Sequence, residues 1–434
     1  MGVALGVSLL AMATLSFNAT RVAGWSVSDL LFMASGGVIA IKLLSSDERF
    51  LTPRRARRGS QLVLAGVVLM LSGATLSALG SWTPLESTMV VVRLAWSTLV
   101  WFWILRSVCR DRQALFSMVN AVRVTVLVSA VLAVAGDNGI LQVNSKDFGD
   151  GRQAAFTYHP GELMNFLIAG FFLVAVPVLV PTGGRHRPFA TLGWAAGAVV
   201  VMLGIFATGS TSAVVALGAA LLAVVAVVLY SGSSRVRRRR RTPLTGMLVI
   251  AGAVVGMFLL FTSDLPVAER LTGFADGTSN LDDSLASRSA ANSEIINDFD
   301  DYLLVGIGPY VEEAVGPSNI VSNGKPHNHV HNMHLKMLYE AGLPAMIGLW
   351  IIVITVAHQA CRLVVSTRGT DLYPVALGVF GGFVAANVSS MFGPTAFARH
   401  FWLSYALIGC VWAVRRLELA DAREGRPRAV ETVT

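Results

Sequence analysis

The stretch PHNHVHNMHLKMLYEAGLPAMIGLWIIVITVAHQAC, residues 326–361, joins a polar segment to a long apolar run at Gly342. The polar part holds half of the eight histidines of the chain: His327, His329, His331 and His334. The apolar part is long enough to cross a bilayer, for which a helix needs about 20 such residues. The stretch therefore predicts a membrane-spanning helix with titratable groups gathered at one membrane border.

Apolar runs of this kind recur along the whole chain. Of its 434 residues, 54% are hydrophobic and 14% are charged, and the mean hydropathy is +0.62, whereas a soluble domain carries about 25% charged residues. We therefore expect an all-α polytopic membrane protein, with residues 1–434 forming a single integral membrane domain. Twelve spans are predicted, near residues 3–17, 26–43, 61–80, 89–106, 115–135, 162–181, 190–207, 212–230, 244–262, 342–361, 373–393 and 400–415.

The positive charges predict the orientation of these spans. Arg-rich loops alternate with Arg-poor ones, and Lys and Arg stay on the cytoplasmic side during insertion. Both termini, including the tail 416–434, are thus expected in the cytoplasm, and the Arg run at 235–241 is interpreted as a topological anchor rather than a site for nucleic acid or lipid headgroups. The medium loop 136–161 and the long loop 263–341 then face the outside of the cytoplasmic (inner) membrane. Loops this long are commonly functional, so the site is expected to be extracytoplasmic.

The histidine segment allows three interpretations. Pro326 suits a first helical turn and Gly342 a helix end, so a helix is predicted between them, with His327, His331 and His334 on one face. The imidazoles could be solvated at the interface, or could ligate zinc, although the Glu that usually accompanies such a pair is missing. One could instead act as a general base near neutral pH. A base of this kind needs cations nearby for the leaving group, and the outer loops supply Arg152, Arg270, Arg288, Lys325 and Lys336.

The same segment resembles the signature of the bacterial O-antigen ligase/polymerase family. That signature reads His-Asn, nine residues, then Gly, and here His331-Asn332 is followed by Gly342. Twelve spans with a long outer loop between the ninth and tenth are also similar to this family. The resemblance implies a GT-C-like membrane glycosyltransferase, a class distinct from a soluble enzyme.

Two upstream stretches extend the resemblance. SRSAANSEIINDFDDYLLVGIGPY (287–310) is similar to the family's Arg, helix and Gly-x-Gly, and supplies Arg288, Gly306 and Gly308. GRQAAFTYHPGELMNFLIAG (151–170) resembles the family's Arg-containing stretch before a central span, and supplies Arg152.

The resemblance implies transfer of a glycan from undecaprenyl diphosphate to the hydroxyl of a glycan or glycolipid acceptor, at the outer face of the membrane. The family's reaction is thought to need no metal or other cofactor, and to invert the anomeric carbon. The implied catalytic residues are His331, as general base or acceptor-orienting group, and Arg288, on the diphosphate. The predicted substrate-binding residues are Arg152 and Asn332, from the resemblance, together with Arg93 and Glu162, of which Glu162 could bind sugar hydroxyls or orient the histidine.

The sequence departs from the family pattern at two places. The family often has Ser-Arg at the start of the span after the short outer loop, where Thr211 stands here. Its frequent Pro-Asn in the medium loop is replaced by Pro160-Gly161. Arg152 or Arg93 is therefore expected to substitute for the missing Arg. Arg93 is predicted about one turn inside its span, where an unpaired charge is costly.

Other functions remain open at this point. A polysaccharide polymerase of the same family would share every motif. A lipid-linked glycan flippase or secondary transporter also has about twelve spans, but would need cations spread along a central cavity or internal repeats; the predicted spans contain only Arg93 and Arg123 as cations. A histidine-based zinc enzyme is the third alternative.

Overall fold

The computed structural model describes residues 2–14, 21–22, 25–45, 57–141, 153–155, 157, 160–180, 188–232, 292–293, 295–297, 299–309, 321–322, 325–326, 330–393 and 399–423. Within these ranges the chain is predominantly helical, with two antiparallel pairs of two-residue strands. The all-α membrane class predicted from the sequence is thereby confirmed.

In chain order the elements are α1 (Gly2–Ala13), β1 (Arg21–Val22), β2 (Trp25–Ser26), α2 (Val27–Ser45), α3 (Arg57–Leu79), α4 (Pro84–Ala95), a π-helical turn (Trp96–Val100), α5 (Trp101–Val108), α6 (Arg112–Asp137), α7 (Pro160–Leu179), α8 (Pro188–Ala207), α9 (Thr211–Gly232), α10 (Phe299–Tyr302), β3 (Val321–Ser322), β4 (Lys325–Pro326), α11 (Met333–Thr367), α12 (Tyr373–Ser389), a 3₁₀ turn (Ser390–Phe392) and α13 (Arg399–Arg423).

Eleven of the predicted spans coincide with helices, and the ninth, 244–262, lies outside the described residues. Seven helices in the described ranges are long and apolar enough to cross a membrane, and three apolar helical segments are shorter. The helix α1, for example, has 12 residues and is about 18 Å long, less than the roughly 30 Å of a hydrocarbon core. The predicted count of twelve spans is therefore not confirmed.

The two ends of the helix bundle differ in composition. One end, called here the arginine end, contains Arg112, which contacts Asp371 at 3.0 Å and also Glu418, joining α6, the turn that precedes α12, and α13. The opposite end, called here the motif end, holds the start of α11, where Ser77 of α3 donates a hydrogen bond to the carbonyl oxygen of Glu340. The antiparallel helices thus carry the signature motif and the arginine cluster to opposite ends.

The helices α3 and α11 cross closely, and small residues make this crossing possible. A Cβ added to Gly66 would lie 2.8 Å from the carbonyl oxygen of Gly348, and one added to Gly73 would lie 2.6 Å from the amide nitrogen of Ala345. Small residues at such contacts let two backbones approach, which is the common basis of helix association in membranes. This crossing fixes α11, which carries the motif, against α3.

Arg123 lies buried inside the bundle with partners on three helices. Its Nε donates to the carbonyl oxygen of Leu173 at 2.9 Å, a terminal nitrogen donates to Oδ1 of Asn120 at 2.9 Å, and its guanidinium lies 4.8 Å from the ring centre of Trp194. A buried cation with these partners joins α6, α7 and α8, so it has no need of a substrate anion.

Candidate active site at the motif end

The histidine-rich segment folds differently from the prediction. Pro326 lies in β4, paired with Val321, and the helix begins only at Met333. His331 therefore precedes the helix, and the predicted shared helical face of His327, His331 and His334 is wrong. His327 and His329 lie outside the described residues. The physical reason is the cap at Asn332, which competes successfully with a start at Pro326.

Asn332 caps the N-terminus of α11. Its backbone is extended, at φ −120° and ψ 121°, and its Oδ1 accepts hydrogen bonds from the amides of His334 at 2.9 Å and Leu335 at 3.2 Å. Asn is among the preferred N-cap residues because its side chain satisfies amides that have no partner within the helix. The His-Asn motif thus places a half-buried His331 one residue before a capped helix end.

This geometry gives a test of Asn332. Asn332→Ala should destabilise the helix end by about 1 kcal/mol, whereas Asn332→Ser should remain close to the wild type because Ser caps equally well. Thermal melting of the detergent-solubilised protein, followed by size-exclusion chromatography, measures both. A Ser variant that is stable but as inactive as the Ala variant would show that the amide has a substrate-binding role beyond the cap.

Gly342 breaks α11 into two segments. Its φ of 78° and ψ of 175° are far from helical values and fall in a region that is essentially restricted to glycine. Pro344 follows in the first turn of the second segment, where a missing amide hydrogen costs nothing. The predicted junction at Gly342 is confirmed.

The Gly-x-Gly motif closes this break by capping both segments. The amide of Ile307 donates to the carbonyl of Tyr339, and that of Gly308 donates to the carbonyl of Glu340, each at 3.0 Å. In return, the amide of Leu343 donates to the carbonyl of Leu303 at 2.8 Å. These bonds satisfy backbone groups that a broken helix would otherwise expose. We call this arrangement the glycine junction, comprising residues 303–308 and 339–343.

The glycine junction leaves no room for side chains. Gly306 has a φ of 79°, and a Cβ there would lie 2.5 Å from the carbonyl oxygen of Glu340. A Cβ on Gly342 would lie 2.6 Å from the carbonyl oxygen of Leu304. The two family motifs, which are separated by more than twenty residues of sequence, are therefore parts of one backbone interlock.

A small apolar cluster brings the segment after Arg288 next to His331. Ile295 and Tyr302 pack with Val330, Leu338 and Tyr339 in a core separate from the main bundle core. Val330 immediately precedes His331, and Ile295 is the seventh residue after Arg288. Arg288 itself lies outside the described residues, so its contact with the site stays a prediction.

A buried ion pair lies on the same helical segment as Leu338 and Tyr339 of this cluster. Nζ of Lys336 is 3.3 Å from Oε1 of Glu340, one helical turn on, and the side chains are 2% and 0% exposed. Lys336 was among the cations proposed from the sequence for the leaving group. Its burial with a carboxylate assigns it instead to holding the first segment of α11 in place, since removing one partner would leave an uncompensated charge.

The medium loop is attached near the position where the family's Arg is missing. The amide of Gln153 donates to the carbonyl of Ala207 at 3.0 Å, at the end of α8 and four residues before Thr211. The following Ala155 has a φ of 45°, a conformation that non-glycine residues hold only at a cost. Arg152 lies outside the described residues. Its neighbour Gln153 is bonded close to Thr211, where the family has the Arg for which Arg152 is expected to substitute.

Arg93 lies farther along its helix than the sequence predicted. Because α4 begins at Pro84 rather than near residue 89, Arg93 comes about two and a half turns along its helix. Its Nε is buried and has no hydrogen-bond partner within the described ranges. The π-helical turn Trp96–Val100 begins three residues later, and such turns are frequent at functional sites. Nothing in the described residues joins Arg93 to His331.

Glu162 is the third residue of α7 and is half-buried. A carboxylate in the first turn of a helix stabilises the helix dipole, so its position has a structural explanation. Close to it, Ser389 of α12 donates to Oδ1 of Asn165 at 2.6 Å, and Tyr405 of α13 donates to Oδ1 of Asn387 at 2.8 Å. These hydrogen bonds join α7, α12 and α13. The sequence did not predict them, because the bonded residues are far apart in the chain.

Comparison with known proteins agrees with the family resemblance that the motifs indicate. Residues 196–350 match the family model described as O-antigen ligase. The match includes Arg288, the glycine junction and His331. No curated protein matches the chain. The resemblance to the O-antigen ligase/polymerase family is therefore confirmed over these residues, and the chain is a membrane protein whose residues 196–350 are similar to the O-antigen ligase family.

Proposed function

We propose that this protein moves a glycan from undecaprenyl diphosphate to the hydroxyl of a glycan or glycolipid acceptor, at the outer face of the cytoplasmic membrane. The motif end is then extracytoplasmic and the arginine end cytoplasmic, in accord with the positive-inside rule. The reaction inverts the anomeric carbon and uses no metal ion. Its product is a surface polysaccharide.

The glycine junction is the observation that carries this proposal. Its backbone bonds hold the start of α11 against the segment that follows Arg288, and the family match spans both. A catalytic base must be held within a fraction of an ångström of its productive position. The junction supplies that rigidity at a border where polar chemistry meets the apolar bundle.

His331 acts as the general base in the proposed reaction. It accepts the proton of the acceptor hydroxyl as the oxygen attacks the anomeric carbon and the bond to the diphosphate breaks. An imidazole suits this role because it titrates close to neutral pH. Its half-buried place before the capped helix leaves it accessible to an acceptor arriving from the loop side.

The arginines of the two outer loops hold the leaving diphosphate. Negative charge develops on the diphosphate in the transition state, so fixed cationic donors there lower the barrier. Arg288 is proposed as the first donor. Arg152 is proposed as the second, in place of the family's Arg at Thr211, because Gln153 is bonded to the end of α8. Arg93 is a weaker candidate since it lies farther along its helix.

Ligase and polymerase activities are separated by one experiment. Cells that lack the gene are complemented with the wild type, and the glycans on the polyprenyl carrier are sized. Accumulation of full-length polymer on the carrier in the deletion strain shows a ligase, and accumulation of single repeat units shows a polymerase. Unchanged carrier-linked and surface glycans would contradict the proposed function and would favour a flippase or transporter.

The role of Arg288 gives a second prediction. Arg288→Lys should reduce transfer nearly as much as Arg288→Ala, because an ammonium lacks the planar fork that binds two phosphate oxygens. Losing one such donor costs about 2.7–4 kcal/mol of barrier, or about 100-fold to 1,000-fold in rate. Transfer in membranes from both strains measures this. The exposed Arg368, replaced by Lys, is the control, and full activity of Arg288→Lys would exclude a bidentate contact.

A further inference from the structure

A groove that reaches the arginine end is lined by none of the described residues proposed for the active site. Its cavity has a volume of about 130 Å³, roughly ten times what one water molecule requires. Four helices line it: α3 through Val63 and Leu64, α5 through Phe102, α11 through Ile352 and Val356, and α13 through residues from Trp402 to Arg416. We call it the arginine-end groove.

The inner end of this groove carries cations. Arg106 of α5 and Arg416 of α13 both line it, and both are half-buried. Arg416 is close enough to Arg106 and to Arg362 of α11 for their charges to repel its own. Within the described parts of the chain, these three arginines form no ion pair with a carboxylate.

The side chains around Arg416 are held in place. The indole Nε1 of Trp412 donates to the carbonyl oxygen of Gln359 at 2.9 Å, which fixes the ring between α13 and α11. The guanidinium of Arg416 lies 5.2 Å from the centre of that ring, a favourable cation–π position. Val414, midway between these two residues along α13, is buried in the core on the other side of the helix.

Topological anchoring alone does not explain this arrangement. Exposed arginines such as Arg362 and Arg423 satisfy the positive-inside rule while remaining in water. Arg106 and Arg416 instead close one end of an apolar groove, where repulsion between like charges is costly unless an anion lies between them. A ligand that fits must have a phosphate-like head and a hydrocarbon chain.

We propose that the arginine-end groove binds one anionic phospholipid of the cytoplasmic leaflet. The phosphate lies on Arg106 and Arg416, and one acyl chain runs along the apolar wall toward Trp402. Basic pockets between transmembrane helices on the cytoplasmic side bind anionic head groups in this way. The proposal does not depend on the glycan-transfer function.

Native mass spectrometry of the full chain in detergent tests the proposal. The protein is mixed with equal amounts of phosphatidylglycerol and phosphatidylcholine, and lipids that survive detergent removal are counted. We expect one phosphatidylglycerol retained in preference to phosphatidylcholine. The double variant Arg106→Gln/Arg416→Gln should bind it about tenfold more weakly or worse, while the control Arg423→Gln should retain it.

A second pair of variants tests the apolar wall without changing charge. Leu64 lines the groove and is 53% exposed, whereas Leu76 on the same helix is 59% exposed and does not line it. Leu64→Trp should reduce retention, and Leu76→Trp should not. This arm remains informative if the double Arg variant fails to fold, which its size-exclusion profile will show.

Four outcomes would overturn the proposal. The first is equal retention of the two phospholipids by the wild type, and the second is unchanged retention in both the Arg and the Leu64 variants. The third is displacement of the lipid by excess glycerol phosphate, which would show a head-group site without a chain site. Retention of a polyprenyl phosphate in place of phosphatidylglycerol would also contradict it, since the occupant would then be a carrier lipid.

Discussion

His331→Ala is expected to abolish surface polymer while the protein still inserts and folds. A positioned general base contributes about 100-fold to 10,000-fold in rate, and a loss of that size reduces polymer below detection in complemented cells. His331→Gln should be equally inactive, because an amide keeps a hydrogen-bonding group but cannot accept a proton. Gel analysis of surface polysaccharide measures the effect, with membrane abundance of the protein as the reference.

The control for this variant lies on α11, the helix that follows His331. His358 of α11 is exposed and distant from the motif end, so His358→Ala should leave polymer unchanged. Near-normal polymer from His331→Ala would exclude the base assignment. Activity restored by His331→Gln would show that the residue orients the acceptor instead.

Gly342→Ala is expected to have the largest effect on folding. The backbone conformation at this position is nearly exclusive to glycine, at a cost of about 1–3 kcal/mol for other residues. The added methyl group would also collide with the backbone of Leu304, at 2.6 Å, where no side chain can move aside. The backbone strain and the collision together should severely destabilise the fold. Thermal melting in detergent and the yield of protein in membranes measure this effect.

Gly369 provides a matched comparison. Its φ is +77°, close to that of Gly342, but a Cβ there meets nothing within 4 Å. Gly369→Ala should therefore cost only the backbone term, about 1–2 kcal/mol. A Gly342→Ala variant no less stable than Gly369→Ala would show that the glycine junction is not tightly packed.

The positions of the helices were readable from the sequence because each apolar run must satisfy its own backbone inside lipid. The ends of the helices were harder to predict. Pro84 starts α4 well before the apolar run, and the π-helical turn after Ala95 has no simple sequence signal. The crossing of α3 with α11 joins residues almost 300 positions apart, such as Gly66 and Gly348, and a single sequence carries no record of such pairs.

The candidate site was predicted unevenly. Short motifs predicted the helix break at Gly342 and singled out Gly306 and Gly308. The structure explains both, because these glycines form one backbone interlock. The start of the histidine helix was misplaced, although Asn332 is a strong N-cap signal that outweighs a proline six residues earlier. The burial of Lys336 with Glu340 depends on packing against α3 and the loop, which spacing alone does not reveal. Arg288 and Arg152 remain predictions.

The glycine-to-glycine crossing of α3 and α11 has a consequence for which donors can react. With backbones in direct contact at Gly66 and Gly348, α11 cannot slide along α3 by even one residue, about 1.5 Å of rise, without driving a side chain into a backbone. The height of His331 relative to α3 is thereby constant. In the proposed reaction, a carrier diphosphate also sits at a constant depth, set by the lipid surface. The bond between glycan and diphosphate then meets His331 at the same depth, whatever the length of the glycan. The bundle therefore selects the reacting bond by its depth, and donors with short or long glycans react alike.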